Sequence, residues 1–149
     1  MDPLQKREIG NTGVQVTALG LGGAPLSGMS AADGLYGGAV REAALSLIRR
    51  AHRLGIAYFD TAPLYGSGRS EARYGAVLPE LARDSFVIST KVGRVLTLSD
   101  PNRSLPLAPD GLPNLDPVFD LSRDGILRSL DESLGRLRLD AVEILFLHD

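Results

Sequence analysis

Apolar positions along the chain follow two alternating patterns. Continuous apolar runs of five or six residues are followed by stretches in which apolar residues recur every three or four. The runs at residues 18–23, 56–60, 86–91 and 142–147 read as short apolar strands, the first of them buried. Residues 41–54 carry Ala44, Leu47, Ile48, Ala51 and Leu54 on one helical face, with Gly55 as the stop. A second helix is expected to begin with Ser70 as N-cap and Glu71 in its first turn. It carries Tyr74, Val77, Leu78 and Leu81, and Pro79 breaks or kinks it. A third helix, capped by Ser122 with Asp124 in its first turn, is expected to bury Ile126, Leu127, Leu130, Leu134 and Leu137.

Ahead of these elements, the turn cluster in Ile9-Gly10-Asn11-Thr12-Gly13-Val14-Gln15-Val16 predicts a small hairpin. Residues 29–40 are small and Gly-rich, hence a loop. Residues 94–121 hold Pro101, Pro106, Pro109, Pro113 and Pro117 and are expected to be one long irregular stretch. Strands alternating with amphipathic helices imply an α/β fold, with a parallel sheet covered by helices. Periodicity leaves a doubly wound sheet and a barrel both open.

Composition narrows the partners more than the fold. The 149 residues are 44% apolar and 23% charged, enough for one domain with a sizeable core. A net charge of -2 carries no polyanion footprint, so no nucleic-acid partner is expected. There is no cysteine, which excludes disulfides and thiol chemistry. No apolar run approaches the roughly 20 residues that span a bilayer, and the first residues lack a signal core. The expectation is a cytoplasmic protein with no membrane partner. Of the 16 basic residues, all but Lys6 and Lys91 are arginine. A lysine inside an apolar strand of such a chain invites a chemical reason.

Three consecutive strands end in an ionisable residue: Asp60, Lys91 and His148. Tyr65 lies in the loop that follows the strand of Asp60. In parallel α/β folds the C-terminal strand ends share one face, which holds the active site. Four such groups, of complementary types, favour a site over isolated strand-end caps. They suit proton donation to a carbonyl. A phenol with a pKa of about 10 is a poor acid at neutral pH, and a neighbouring ammonium would lower that value. A carboxylate would keep the ammonium charged, and a neutral imidazole would hold the carbonyl oxygen.

The segments Phe59-Asp60-Thr61-Ala62-Pro63-Leu64-Tyr65-Gly66, Ser89-Thr90-Lys91-Val92-Gly93 and Leu145-Phe146-Leu147-His148-Asp149 resemble signature segments of the aldo-keto reductase superfamily. Gly66-Ser67-Gly68-Arg69-Ser70-Glu71 is similar to the family's second helix start. Gly20-Leu21-Gly22-Gly23-Ala24-Pro25 and Phe119-Asp120-Leu121-Ser122-Arg123-Asp124 look closest to the branch of pyridoxal and sugar dehydrogenases, of the D-threo-aldose and L-fucose type. The resemblance implies the N-terminal half of a (β/α)8 TIM barrel, four parallel strands behind an N-terminal hairpin at residues 7–16. It also implies Tyr65 as general acid and base, Lys91 as its tuning partner, Asp60 as partner of Lys91, and His148 as orienter of the carbonyl oxygen. The cofactor would be NADP or NAD, bordered by Asp60, Gly22 and Gly23. The substrate would be a small-molecule aldehyde, ketone or sugar hemiacetal, its choice shaped by the 94–121 loop.

A dinucleotide fingerprint fails at Pro25, which stands where its third glycine belongs. Tyr65 and Lys91 do not share one helix, unlike the pair of the short-chain dehydrogenases. His52 lies off the apolar stripe and is expected to be solvated. Two histidines so far apart make no metal site, and Asp149 is left without a role. A complete barrel of this kind needs about 250 residues. The isolated 149-residue chain is therefore expected to bind cofactor poorly, turn over little, and self-associate through an open half-barrel. The alternatives are a noncatalytic nicotinamide-sensing module and a self-associating half-barrel fragment.

Overall fold

The structure is a computed structural model that describes residues 2–28, 38–98 and 115–148. Its hairpin pairs β1 (Lys6–Glu8) with β2 (Gln15–Thr17) in antiparallel register. Thr17 docks it. The buried hydroxyl donates to the Leu19 carbonyl at 2.8 Å and accepts from the Ala57 amide at 3.1 Å. Four parallel strands then follow in spatial order β3 (Leu21–Gly22), β4 (Tyr58–Asp60), β5 (Val87–Val92) and β8 (Ile144–Leu147). The crossovers carry α1 (Arg41–Arg53), α2 (Arg69–Gly75) and α3 (Arg123–Leu137).

That order resolves what periodicity left open. A doubly wound sheet reverses direction at a switch point, whereas here every crossover moves one strand further the same way. Right-handed crossovers in one direction place all helices on one face of the sheet. Accordingly α2 packs against both α1 and α3. This is the winding of a (β/α) barrel.

The sheet register sorts side chains between its two faces. Gly22, Asp60, Ser89 and Ile144 form one cross-strand row. Tyr58 lies two residues before Asp60, and Lys91 two residues after Ser89, so both share the face of that row. The opposite face carries Phe59 and Ile88, fully buried with Leu26, Ile48, Tyr74, Val77, Leu78 and Leu137. Phe59 stacks at 5.7 Å from Tyr74 and 6.2 Å from Phe86. Truncating such a ring costs about 3–5 kcal/mol. The helices thus bury one face and leave the other free for chemistry.

Several local expectations need correction. The run at residues 18–23 pairs only over Leu21–Gly22 and is not buried throughout. In α1 the stripe is rotated: Leu45 is buried with Ala44, Ile48 and Ala51, whereas Leu47 and Leu54 are exposed. Ser70 is not an N-cap. Gly68, at φ 84°, holds that position, and the fully buried Ser70 hydroxyl accepts from Thr61 at 2.9 Å. The second helix stops at Gly75, and Pro79 sits in a separate 3-10 turn, Leu78–Glu80.

Ser122 does cap α3, accepting from the Gly125 amide at 3.0 Å. Asp120 accepts from the Ser122 hydroxyl and amide, which hold its carboxyl below the usual range. The buried face of α3, however, is Gly125, Ser129, Ser133 and Leu137, while Leu127 is exposed and Ile126, Leu130 and Leu134 are half-buried. Small residues let α3 approach its neighbours closely, and that approach outranks the apolar stripe.

Residues 94–121 are not irregular throughout. β6 (Arg94–Thr97) and β7 (Asp116–Phe119) form an antiparallel ladder with Val95 and Leu96 buried. Pro117 fits because a two-stranded ribbon leaves its missing N–H at an edge. Residues 99–114, the 29–37 portion of the Gly-rich loop, and Asp149 lie outside the described residues.

Candidate active site

Asp60 closes β4, Lys91 stands one residue before the end of β5, and His148 follows β8 directly. All three therefore sit at the C-terminal edge of the sheet. The Lys91 ammonium donates to both Asp60 oxygens, at 3.0 and 2.9 Å, and to the Thr61 carbonyl at 2.9 Å. An ammonium has three donors, and here three oxygens lie within hydrogen-bonding distance of it. The Lys91 side chain is only 13% exposed and that of Asp60 28%. Removing either partner would strand a charge in a poorly solvated place.

Tyr65 reaches the cluster from the loop after β4. Its path needs left-handed backbone at Gly66, Ser67 and Gly68, at φ 66°, 51° and 84°. Gly66 is constrained twice, because a β-carbon there would lie 2.8 Å from the Ser27 carbonyl oxygen. The turn is held by Arg69, which donates to the Gly66 carbonyl at 2.7 Å, and by Ser67, which donates to the Leu115 carbonyl at 2.8 Å. The Lys91 ammonium lies 4.7 Å from the Tyr65 ring centroid, within cation–π range. His148 extends the ladder through its amide to the Val92 carbonyl at 3.0 Å, and its ring meets Tyr65 edge-on at 5.8 Å. The structure thus brings Asp60, Tyr65, Lys91 and His148 together.

Gly22 and Gly23 border the same edge in different ways. Gly22 is exposed, in register with Asp60, and a β-carbon on it would meet nothing within 4 Å. Gly23 is a packing glycine. A β-carbon would overlap the Ser70 hydroxyl and lie 2.8 Å from the Asp60 carbonyl oxygen. Its amide donates to that oxygen at 2.7 Å. Gly22 is the open position of the two.

Two groups escaped the reading of the sequence. Ser89, fully buried, donates to Asp60 Oδ1 at 2.7 Å. Its signal was present, since it stands two residues before Lys91 on one strand face. Glu71, in the first turn of α2 as expected, is a fully buried carboxylate. It accepts from Thr90 at 2.6 Å and from Arg136 at 2.6 Å, joining α2, β5 and α3. No local pattern could have identified Arg136 as its partner. His52 also has a specific contact, 2.9 Å from the Ser85 hydroxyl. Among the described residues no group of three potential ligands is placed to hold a metal ion, and no helix is long and apolar enough to cross a membrane.

The sequence model of the Aldo/keto reductase family matches residues 18–149. Pyridoxal 4-dehydrogenase of Microbacterium luteolum is 44% identical, over 97% of this chain and 43% of its own length. D-threo-aldose 1-dehydrogenase of a Pseudomonas species is 38% identical, over 92% of this chain and 41% of its own. The solved structure of an aldo-keto reductase from Bacillus halodurans, in its holo form, superimposes with a TM-score of 0.71 at 26% identity. That match covers 97% of this chain and 40% of the other. The chain therefore spans about two fifths of the length of the curated relatives it matches. These relatives are a pyridoxal and a sugar dehydrogenase, the branch expected from the sequence.

Proposed function

The chain belongs to the aldo/keto reductase family, and from that premise we propose that it carries the proton-handling residues of an NAD(P)-dependent oxidoreductase acting on a carbonyl or sugar hemiacetal. The observation that carries this reading is the convergence of Asp60, Lys91, Tyr65 and His148 on one edge of a parallel sheet.

In the direction of reduction the Tyr65 hydroxyl gives its proton to the carbonyl oxygen, and in oxidation the same oxygen takes the proton back. Charge left on the Tyr65 oxygen is stabilised by the Lys91 ammonium, which Asp60 holds in place. His148, edge-on to Tyr65, orients the carbonyl oxygen. Gly22 and Asp60 fit a nicotinamide ribose, since the first presents no side chain and the second a carboxylate in the same row. A bound nicotinamide supplies or accepts the hydride. On this reading Gly23 serves the cofactor indirectly, by letting β3 approach Ser70.

For the 149 residues alone, little turnover is expected. The inner face of the sheet is open at Phe146, which is 45% exposed, so water reaches a site that needs to be dry. The test is a chimera in which residues 18–149 replace the matching segment of pyridoxal 4-dehydrogenase. It is assayed with NAD, NADP and their reduced forms against pyridoxal, sugars and simple aldehydes. The chimera should turn over, and Tyr65→Phe should lower kcat by about 10²-fold or more. An active chimera indifferent to Tyr65→Phe would overturn the assignment. A folded chimera that binds cofactor yet never turns over would favour the sensing alternative.

A further inference from the structure

Ser89 is fully buried on the inner face of β5, directly across from Asp60 in the sheet register and two residues before Lys91. Its hydroxyl has three oxygen neighbours: Asp60 Oδ1 at 2.7 Å, the Tyr58 hydroxyl at 3.1 Å and the Phe59 carbonyl at 3.4 Å. A serine hydroxyl has one proton to give. The charged acceptor at the shortest distance takes it, because hydrogen bonds to ionised groups are the shorter and stronger ones. The Ser89 oxygen is then an acceptor toward Tyr58. The result is a directional chain: Tyr58 donates to Ser89, Ser89 to Asp60, and Asp60 accepts from Lys91 at 3.0 and 2.9 Å.

We propose that Ser89, backed by Tyr58, is a positioning residue that fixes the rotation of the Asp60 carboxylate, and through it the placement of the Lys91 ammonium beside Tyr65. The proposal rests on the proton-handling reading of those residues. The physical need is specific. A carboxylate on a strand end has two oxygens and a free χ2, and Lys91 alone could follow it through a range of rotations. A buried donor on a neighbouring strand removes that range, because Oδ1 must point at Ser89 while both oxygens face Lys91. The ammonium then sits where its third proton meets the Thr61 carbonyl and its charge lies 4.7 Å from the Tyr65 ring. Tyr58 in turn is seated by Gly20, where a β-carbon would lie 2.8 Å from the Tyr58 ring.

The chain contains two lysines, Lys6 and Lys91, so ammonium NMR on lysine-labelled protein reads Lys91 against one exposed internal control. The 149-residue protein is used without cofactor or substrate, so this outcome is separate from that of the turnover test. In the wild type the Lys91 ammonium signal should persist near neutral pH while that of Lys6 is lost to exchange. Ser89→Ala should speed Lys91 proton exchange on the order of tenfold, the equivalent of one hydrogen bond to a charged group. Tyr58→Phe should act in the same direction but less, and it carries the test if Ser89→Ala does not fold. Ser89→Thr, which keeps the hydroxyl, should restore protection. A folded Ser89→Ala or Tyr58→Phe protein with wild-type Lys91 exchange overturns the proposal, as does a wild-type Lys91 signal no better protected than Lys6.

Discussion

Gly75 of α2 lies against the backbone of Arg136 in α3, so close that a β-carbon on it would overlap the Arg136 carbonyl oxygen and lie 2.8 Å from the Leu137 carbonyl carbon. The contact brings the two helices near enough for the Arg136 side chain to reach Glu71. Backbone cannot move aside as a side chain can, so the two helices would have to separate.

Gly75→Ala is therefore expected to destabilise the fold by about 2–3 kcal/mol, in the range of overpacked cores. Gly135 of α3 is the control, because a β-carbon there meets nothing within 4 Å. Gly135→Ala should stabilise by up to about 1 kcal/mol through helix propensity alone. Urea unfolding of the two variants checks both signs, and equal effects would refute the close-approach argument.

The ion pair that this approach permits is asymmetric. Glu71 is wholly buried, whereas the Arg136 side chain is 22% exposed and also contacts Ser133 at 3.2 Å. Arg136→Met leaves a carboxylate in the interior with Thr90 as its remaining neighbour. It should cost about 3–5 kcal/mol, the range for a broken buried pair. Glu71→Gln keeps an acceptor for Thr90 and leaves a guanidinium that can turn to water. It should cost less, about 1–2 kcal/mol. Reversal of that order in denaturant titrations would show that the buried carboxylate is not the sensitive partner.

Tyr74 gives the fold an alkaline limit. Burial, and secondarily the charge on Asp60, raise the pKa of its phenol well above 10, and its hydroxyl donates to the Leu21 carbonyl at 2.8 Å. A group raised on folding contributes stability that is full below its unfolded pKa. That contribution is lost as pH rises through the folded value. The unfolding free energy should thus decline above about pH 10 as the unfolded state ionises. Tyr74→Phe should be less stable at neutral pH, by about 1 kcal/mol for the lost hydrogen bond, and should show a shallower alkaline decline. Parallel curves for the two proteins from neutral pH into the alkaline range would contradict this.

How much was legible follows from how local each cause is. Ser122 was readable as a cap because its partner, the Gly125 amide, is three residues away. Ser70 has the same residue type in a similar context, yet its partner is Thr61, nine residues back and on the far side of the Tyr65 turn. The apolar stripe of α3 foretold a helix correctly, but of its buried face only Leu137. Gly125, Ser129 and Ser133 face inward, and at Gly125 a β-carbon would overlap the Asp120 carboxyl group. Val95 and Leu96 sit in a proline-rich segment that read as loop, since their ladder partners lie some twenty residues away.

The sequence by itself determined which residues are the candidates for chemistry. Each strand's apolar run and its ionisable terminus are adjacent in the chain, so Asp60, Lys91 and His148 could be identified without knowing what they face. Only the tertiary structure decided that the strands run in unreversed order, that Lys91 donates to Asp60 and Thr61, and that Ser89 and Glu71 are buried partners rather than background. The reason is physical. A side chain's type is written in the sequence, but its protonation state and its role depend on which groups share its few ångströms of poorly solvated space. Those neighbours come from strands and helices distant along the chain.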